Sequence, residues 1–268
     1  MFLNDYARER GATVTMLTKT WNEWVLKGNK LSAYPMGMPM TIQPPEDIGE
    51  PTWDPGLLFM DDIPLEHRAV DYRWFPADAW NAVWDSLFTE PIRPVLLHGK
   101  PGKGKSSLAA AIILQLRDWR FREHQANKDT QKRLARFCSQ AEFTSRALNT
   151  QFLDKKEFGT MLGSRNGATH GSMFINELME FRGLLVLDDV IHPKAHPSLS
   201  SRIIEIINHR HENHLLTIIT SNLAPHEIAD KLDPAVASRL CGGLVLRSVG
   251  EDLRQTKINI KEKENVNV

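Results

Sequence analysis

Cys138 and Cys241 are the only cysteines in 268 residues. They form neither a metal-ligand spacing nor a disulfide framework, which suits a reducing compartment. Net charge is missing as well: 33 lysines and arginines balance 33 acids. The chain as a whole is therefore no generic polyanion binder, and any nucleic-acid contact must come from a local patch. No apolar run approaches the roughly 18 residues that span a bilayer. The opening Met1-Phe2-Leu3-Asn4-Asp5 lacks the charged-then-apolar layout of a signal peptide. A cytoplasmic protein without a membrane partner is expected. What remains is ordinary: 41% hydrophobic and 25% charged residues, enough for a core domain of about 170–200 residues plus an appendage.

One stretch stands out. Val95-Leu96-Leu97-His98 is a short apolar run, followed by the glycine-rich Gly99-Lys100-Pro101-Gly102-Lys103-Gly104-Lys105-Ser106-Ser107 and then by the apolar Leu108 to Leu114. Gly99, Gly104, Lys105 and Ser106 satisfy G-x-x-x-x-G-K-[ST] in the strand–loop–helix context the motif requires. Glycines let backbone N–H groups turn in around phosphate oxygens, and the helix N-terminus adds partial positive charge. Lys105 is expected to reach the β- and γ-phosphates, and the Ser106 hydroxyl to ligate Mg²⁺. The residues from Gly99 to Ser107 thus predict a site for a nucleoside triphosphate.

Before this loop the chain has three characters. In residues 1–31, Val14, Leu17, Trp21, Trp24 and Val25 form one apolar stripe of a short helical unit. Such a helix cannot bury two tryptophans alone, so it folds back on the core or docks on another protein. Residues 32–56 carry Pro35, Pro39, Pro44, Pro45, Pro51 and Pro55 and predict an extended linker. The core begins near Leu57, and Trp80, Val83, Trp84 and Leu87 mark an amphipathic helix over 76–88 whose aromatics are packing surface.

After the loop, a helix is expected over 106–117. The stretch from Arg117 to Arg136 has a local basic excess with Trp119 and Phe121 interleaved. It is either a solvated helical extension or a patch that tracks a phosphate backbone. Lys155, Lys156 and Arg165 lie in or beside polar loops farther on. Residues 135–138 read as a short strand. The histidines at 192, 196, 209, 211 and 214 match no good metal-ligand set.

Leu184-Leu185-Val186-Leu187 is a continuous apolar run ending in Asp188-Asp189, as expected of a central parallel strand covered on both faces. At its carboxyl end, Asp188 would hold Mg²⁺ together with Ser106, and Asp189 would polarise the attacking water. A helix over 198–211 leads to a strand over 215–220 that ends in Ser221-Asn222. Asn222 would hydrogen-bond the γ-phosphate or the attacking water, unless it is simply a turn asparagine. Asp233-Pro234 starts a further helix by N-cap and first-position proline. Arg239, near the end of that helix, faces either a neighbouring subunit's γ-phosphate or an intrachain acid.

Taken together, Gly99–Ser106, Leu184–Asp189, Thr220-Ser221-Asn222-Leu223 and Ala237-Ser238-Arg239-Leu240 occur in the order seen in AAA+ ATPases, and the "TSNL" followed by "SRL" resembles the DnaC/IstB branch. The resemblance covers roughly residues 57–256, leaving 257–268 as a tail. It implies an α/β P-loop NTPase with a parallel sheet flanked by helices and no C-terminal helical lid, for which few residues remain after Asn222. It further implies Asn222 as sensor 1, Arg239 as arginine finger, Arg254 as a nucleotide contact, and homo-oligomers with intersubunit ATP sites. The implied activity is ATP hydrolysis, and the implied role is helicase loading: single-stranded DNA bound by the core, a replicative helicase gripped by the N-terminal helix. Deleting residues 1–50 is then expected to leave hydrolysis intact and lose the protein partner. The alternatives are a transposition helper ATPase working with a transposase on duplex DNA, a P-loop small-molecule kinase, and a nucleotide-dependent adaptor without hydrolysis.

Overall fold

In a computed structural model, the described residues are 38–41, 57–151, 169–191 and 197–249. The chain divides into two units at Pro35–Met36, and all described residues belong to the second. The helix expected within 1–31 and the loop residues Lys155, Lys156 and Arg165 lie outside them.

Six parallel strands make one sheet: β1 (Met38–Thr41), β2 (Val95–His98), β3 (Ala135–Ser139), β4 (Leu184–Asp188), β5 (Thr217–Ser221) and β6 (Leu244–Val249), in the order β1-β6-β2-β5-β4-β3. Parallel strands need crossover connections, and helices supply them. They are α1 (Ala77–Ser86), α2 (Lys105–His124), α3 (Lys128–Leu134), α4 (Gln140–Ala147), α5 (His170–Glu180), α6 (Pro197–Glu212), α7 (Pro225–Lys231) and α8 (Pro234–Cys241). β2 and β5, and β4 up to Leu187, are buried along their length. That explains why the runs Val95–Leu97 and Leu184–Leu187 are continuously apolar rather than alternating.

β1 lies inside the segment that its prolines mark as linker. Its register on β6 is Met38↔Leu246 through Thr41↔Val249. Proline density argues against a central strand, yet an edge strand tolerates Pro39 because one side of its ladder needs no donor. The other edge is closed differently. The Asp62 carboxylate accepts from the Phe137 N–H of β3 at 2.8 Å and pairs with Arg117 of α2 at 2.9 Å.

α2 runs seven residues beyond the expected end at 117, and this changes the meaning of the basic stretch. Arg117 is fully buried. It donates to the Phe59 and Ala135 carbonyls at 2.6 Å each and sits over the Phe59 ring. Arg136 pairs with Glu142 and Glu177, and Arg122 with Asp118. Arg117 and Arg136 are thus internal fastenings rather than a phosphate track, Arg122 is an exposed partner of Asp118, and Lys128, Lys132 and Arg133 remain exposed.

The aromatic stripe of α1 is packing surface, as its period predicts: Trp80, Val83, Trp84 and Leu87 are buried, with the two indoles stacked at 5.6 Å. α8 starts where expected, with the Asp233 carboxylate accepting from the Val236 N–H at 2.8 Å.

Candidate nucleotide site

The carboxyl ends of β6, β2, β5 and β4 lie side by side, and each delivers one part of the site. β2 delivers the glycine-rich loop. Gly99, Gly102 and Gly104 all have positive φ, at 130°, 75° and 81°. Such backbone turns N–H groups to one side, the geometry of an anion nest. Gly99 is constrained twice, since a Cβ there would lie 2.5 Å from the Ser248 carbonyl oxygen of β6. The Ser248 hydroxyl in turn donates to the Lys103 carbonyl, and the Gly99 N–H donates to the Ser221 carbonyl at 3.2 Å. Strands on both sides therefore hold the loop's shape.

Lys105 opens α2 and is buried. Its Nζ donates to the Gly99 carbonyl (2.7 Å), the Lys100 carbonyl (2.9 Å) and Asn222 Oδ1 (2.9 Å). The Asn222 amide nitrogen donates to both oxygens of Asp189 at 2.8 and 2.9 Å. One asparagine thus joins the loop lysine to the second acid. A turn asparagine would face its own backbone; this one spans three loops. Asp188 is fixed from β5, where the Thr220 hydroxyl donates to Asp188 Oδ1 at 2.7 Å and accepts from the Asp189 N–H at 2.9 Å. Asp189 has φ 52°, a left-handed conformation uncommon for a non-glycine residue.

The structure brings Gly99–Ser107, Asp188, Asp189 and Asn222 to one edge of the sheet. Lys100 is exposed, and Pro101 with it, whereas Lys103 and Ser106 are half-buried. The Ser107 hydroxyl lies 3.3 Å from His67 Nδ1, so the segment before α1 borders the loop. Thr220, Ser248 and His98 are members that sequence reasoning missed. Thr220 belongs to the "TSNL" quartet, which is the signal that would have found it. His98 is buried with no hydrogen-bond partner for Nε2. Burial first, then the charges of Arg247 and Lys105, push its ring down to about 4.

Arg239 is elsewhere. α8 returns toward the amino ends of the strands, and Gly243 follows it so closely against β2 that a Cβ there would meet the Pro94 carbonyl at 1.9 Å. Arg239 therefore lies at the amino edge of the sheet. A four-residue strand at about 3.3 Å per residue, roughly 13 Å, separates it from the phosphate loop of its own chain. Among the described residues it pairs with Glu212, at 3.9 Å, on a side chain 66% exposed. Arg254 lies outside the described residues.

A parallel sheet flanked by helices, with a glycine nest and buried lysine after β2 and paired acids after β4, defines a P-loop nucleoside triphosphatase fold. The donor set suits ATP with Mg²⁺: backbone N–H groups and Lys105 for phosphate oxygens, and Ser106 with Asp188 as hard oxygen ligands. Solved structures similar to this chain include the DnaC helicase loader, at 17% identity over 69% of this chain and 100% of that one, with a TM-score of 0.49. DnaI is similar at 16% identity over 73% and 95%, with a TM-score of 0.47. The replication initiator DnaA bound to AMPPCP and single-stranded DNA is similar at 20% identity over 69% and 50%, with a TM-score of 0.45. This chain spans about half the length of the DnaA chain. No protein-family model matches the sequence, and no curated protein matches it. Among the described residues no helix is long and apolar enough to cross a membrane.

Proposed function

We propose that this chain is an AAA+-type ATPase of DNA replication that hydrolyses ATP at sites shared between neighbouring copies and works as a DnaC-like helicase loader. The observation that carries the reading is the separation of two half-sites. Lys105, Asn222, Asp188 and Asp189 form a network at the carboxyl edge, while Arg239 lies at the amino edge, 3.9 Å from an exposed glutamate. An arginine so far from its own loop completes a site only when a second copy presents it.

When bound with ATP, Mg²⁺ would offset the charge that develops on the γ-phosphoryl group. Lys105 exchanges loop carbonyls for phosphate oxygens, and Asn222 is then left to hold Asp189 and the attacking water in register. Asp189 accepts the hydrogen bond that orients this water, Asp188 and Ser106 would hold Mg²⁺, and Arg239 of the neighbour offsets charge in the transition state.

In this reading residues 1–35 grip the replicative helicase, and single-stranded DNA meets exposed basic residues of the core such as Lys128, Lys132 and Arg133. Two measurements test it. Turnover per chain should rise with protein concentration as copies assemble, and on addition of single-stranded DNA. A chain lacking residues 1–35 should keep turnover and lose the helicase in a binding assay. Recovery of a transposase and duplex DNA instead would favour the transposition-helper reading. Stimulation by a small phosphate acceptor would favour the kinase.

A further inference from the structure

The amino edge of the sheet holds more cationic groups than Arg239. Arg93 precedes β2 and is exposed. Its Nη1 lies 3.4 Å from where a Cβ on Gly242 would be, and that same position is 3.3 Å from the Arg239 carbonyl oxygen. Arg93 therefore packs against the C-terminal turn of α8, on the turn that carries Arg239. Among the described residues no carboxylate lies within 4.0 Å of Arg93. His211, at the end of α6, is close enough to feel both guanidinium groups. Burial, Arg239 and Arg93 lower its affinity for a proton, with His214 adding to the effect and Glu212 opposing it. Two guanidinium groups and two imidazoles of the described residues thus share this edge with Glu212.

Two partly exposed guanidinium groups on one edge repel each other only weakly through water, and solvent alone gives them no reason to converge. A multiply charged anion seated between them reverses the sign. A planar guanidinium is suited to bidentate contact with phosphate oxygens. We infer that Arg93 is a second cation that this chain presents, together with Arg239, to the triphosphate bound by a neighbouring copy. Arg239 acts on the γ-phosphate, and Arg93 is a positioning residue that anchors the neighbour's phosphate chain. Glu212 holds Arg239 when no neighbour is engaged and releases it on docking. The inference rests on the proposed intersubunit site and extends it by one residue.

The test is complementation between full-length variants, each with a defect on one side of the interface. Lys105→Ala removes the phosphate-loop side. Arg93→Gln and Arg239→Ala each remove the presented side, with glutamine keeping a polar side chain over α8. Alone, Arg239→Ala should lose on the order of 10³ in turnover, and Arg93→Gln roughly tenfold to a hundredfold, with thermal midpoints close to that of the parent. Mixed with Lys105→Ala, each should regain turnover, because some interfaces then combine an intact loop with an intact arginine pair. Arg93→Lys should retain more activity than Arg93→Gln. Wild-type turnover in Arg93→Gln, or a loss that mixing does not relieve, overturns the role of Arg93 and leaves that of Arg239 standing. Wild-type turnover in Arg239→Ala overturns the shared site itself.

Discussion

Asn222 has the largest chemical leverage of any single residue, because its one side chain touches both the buried lysine and the second acid. Replacing it with alanine should lower turnover by about 10²-fold while ATP binding changes little, since most phosphate donors are backbone N–H groups. Steady-state kinetics beside a nucleotide-binding isotherm separates the two. Lys105→Ala should abolish hydrolysis and weaken binding together. His98 behaves differently, being a titration site rather than a reacting group. Its ring is neutral in the folded protein down to about 4, whereas an exposed histidine protonates near 6.5. Stability from this residue is complete above pH 6.5 and is lost as pH falls toward 4, with a slope of up to about 1.4 kcal/mol per pH unit. Urea melts of wild type and His98→Gln across pH 4–7 should diverge over that window, the wild type being the steeper. His98 was legible in the sequence as the end of a strand; its burial under neighbouring cations was not.

At the scale of elements, two buried arginines do the fastening. Arg210 of α6 donates to the carbonyls of Leu178, Phe181 and Leu216 at 2.7–2.9 Å and to the Thr217 hydroxyl at 2.9 Å. It ties the end of α5 to the starts of β4 and β5. Burial pushes its guanidinium down to about 9, so it stays protonated at neutral pH. Arg210→Ala leaves several carbonyls buried without donors, each worth about 1–3 kcal/mol. A loss of at least about 3 kcal/mol is expected in urea denaturation, with little recovery in Arg210→Lys, which lacks the planar fork. Arg117 and Asp62 do the same for the segment before α1, and Asp62→Ala should lose about 3 kcal/mol by leaving Arg117 uncompensated. Helical periodicity points to Arg210, since Ile203, Ile206, Ile207 and Arg210 fall on one buried face, while Arg117 lies near the end of a nearly continuous buried run of α2. Charge conceals them, because an arginine on an apolar stripe is read as solvated until its partners from distant segments are known.

For the whole molecule, the decisive matter is which edge of the sheet each group occupies. The phosphate loop, both acids and Asn222 share the carboxyl edge; Arg93 and Arg239 share the amino edge. The N-terminal boundary also moves. β1 pairs with β6, and β6 touches the phosphate loop through Ser248, so removing residues 1–50 takes a strand from the sheet that shapes the site. Deletion of residues 1–35 should leave ATP turnover near the parental value, whereas deletion of 1–50 should lower both turnover and thermal midpoint. The pair of truncations, measured side by side, checks the placement of β1. By itself, the sequence determined the local and periodic features: the phosphate loop, the apolar strands ending in Asp188 and Asn222, the α1 stripe and the α8 cap. Each is written in neighbouring residues and acts through backbone geometry or burial over a few turns. Only the tertiary structure decided that Asn222 bridges Lys105 and Asp189, that Arg117 and Arg210 are internal, that part of the proline-rich stretch is a strand, and that Arg239 lies at the edge opposite its own loop. Those outcomes depend on which strands become neighbours, a property of pairings between distant segments that no local pattern encodes.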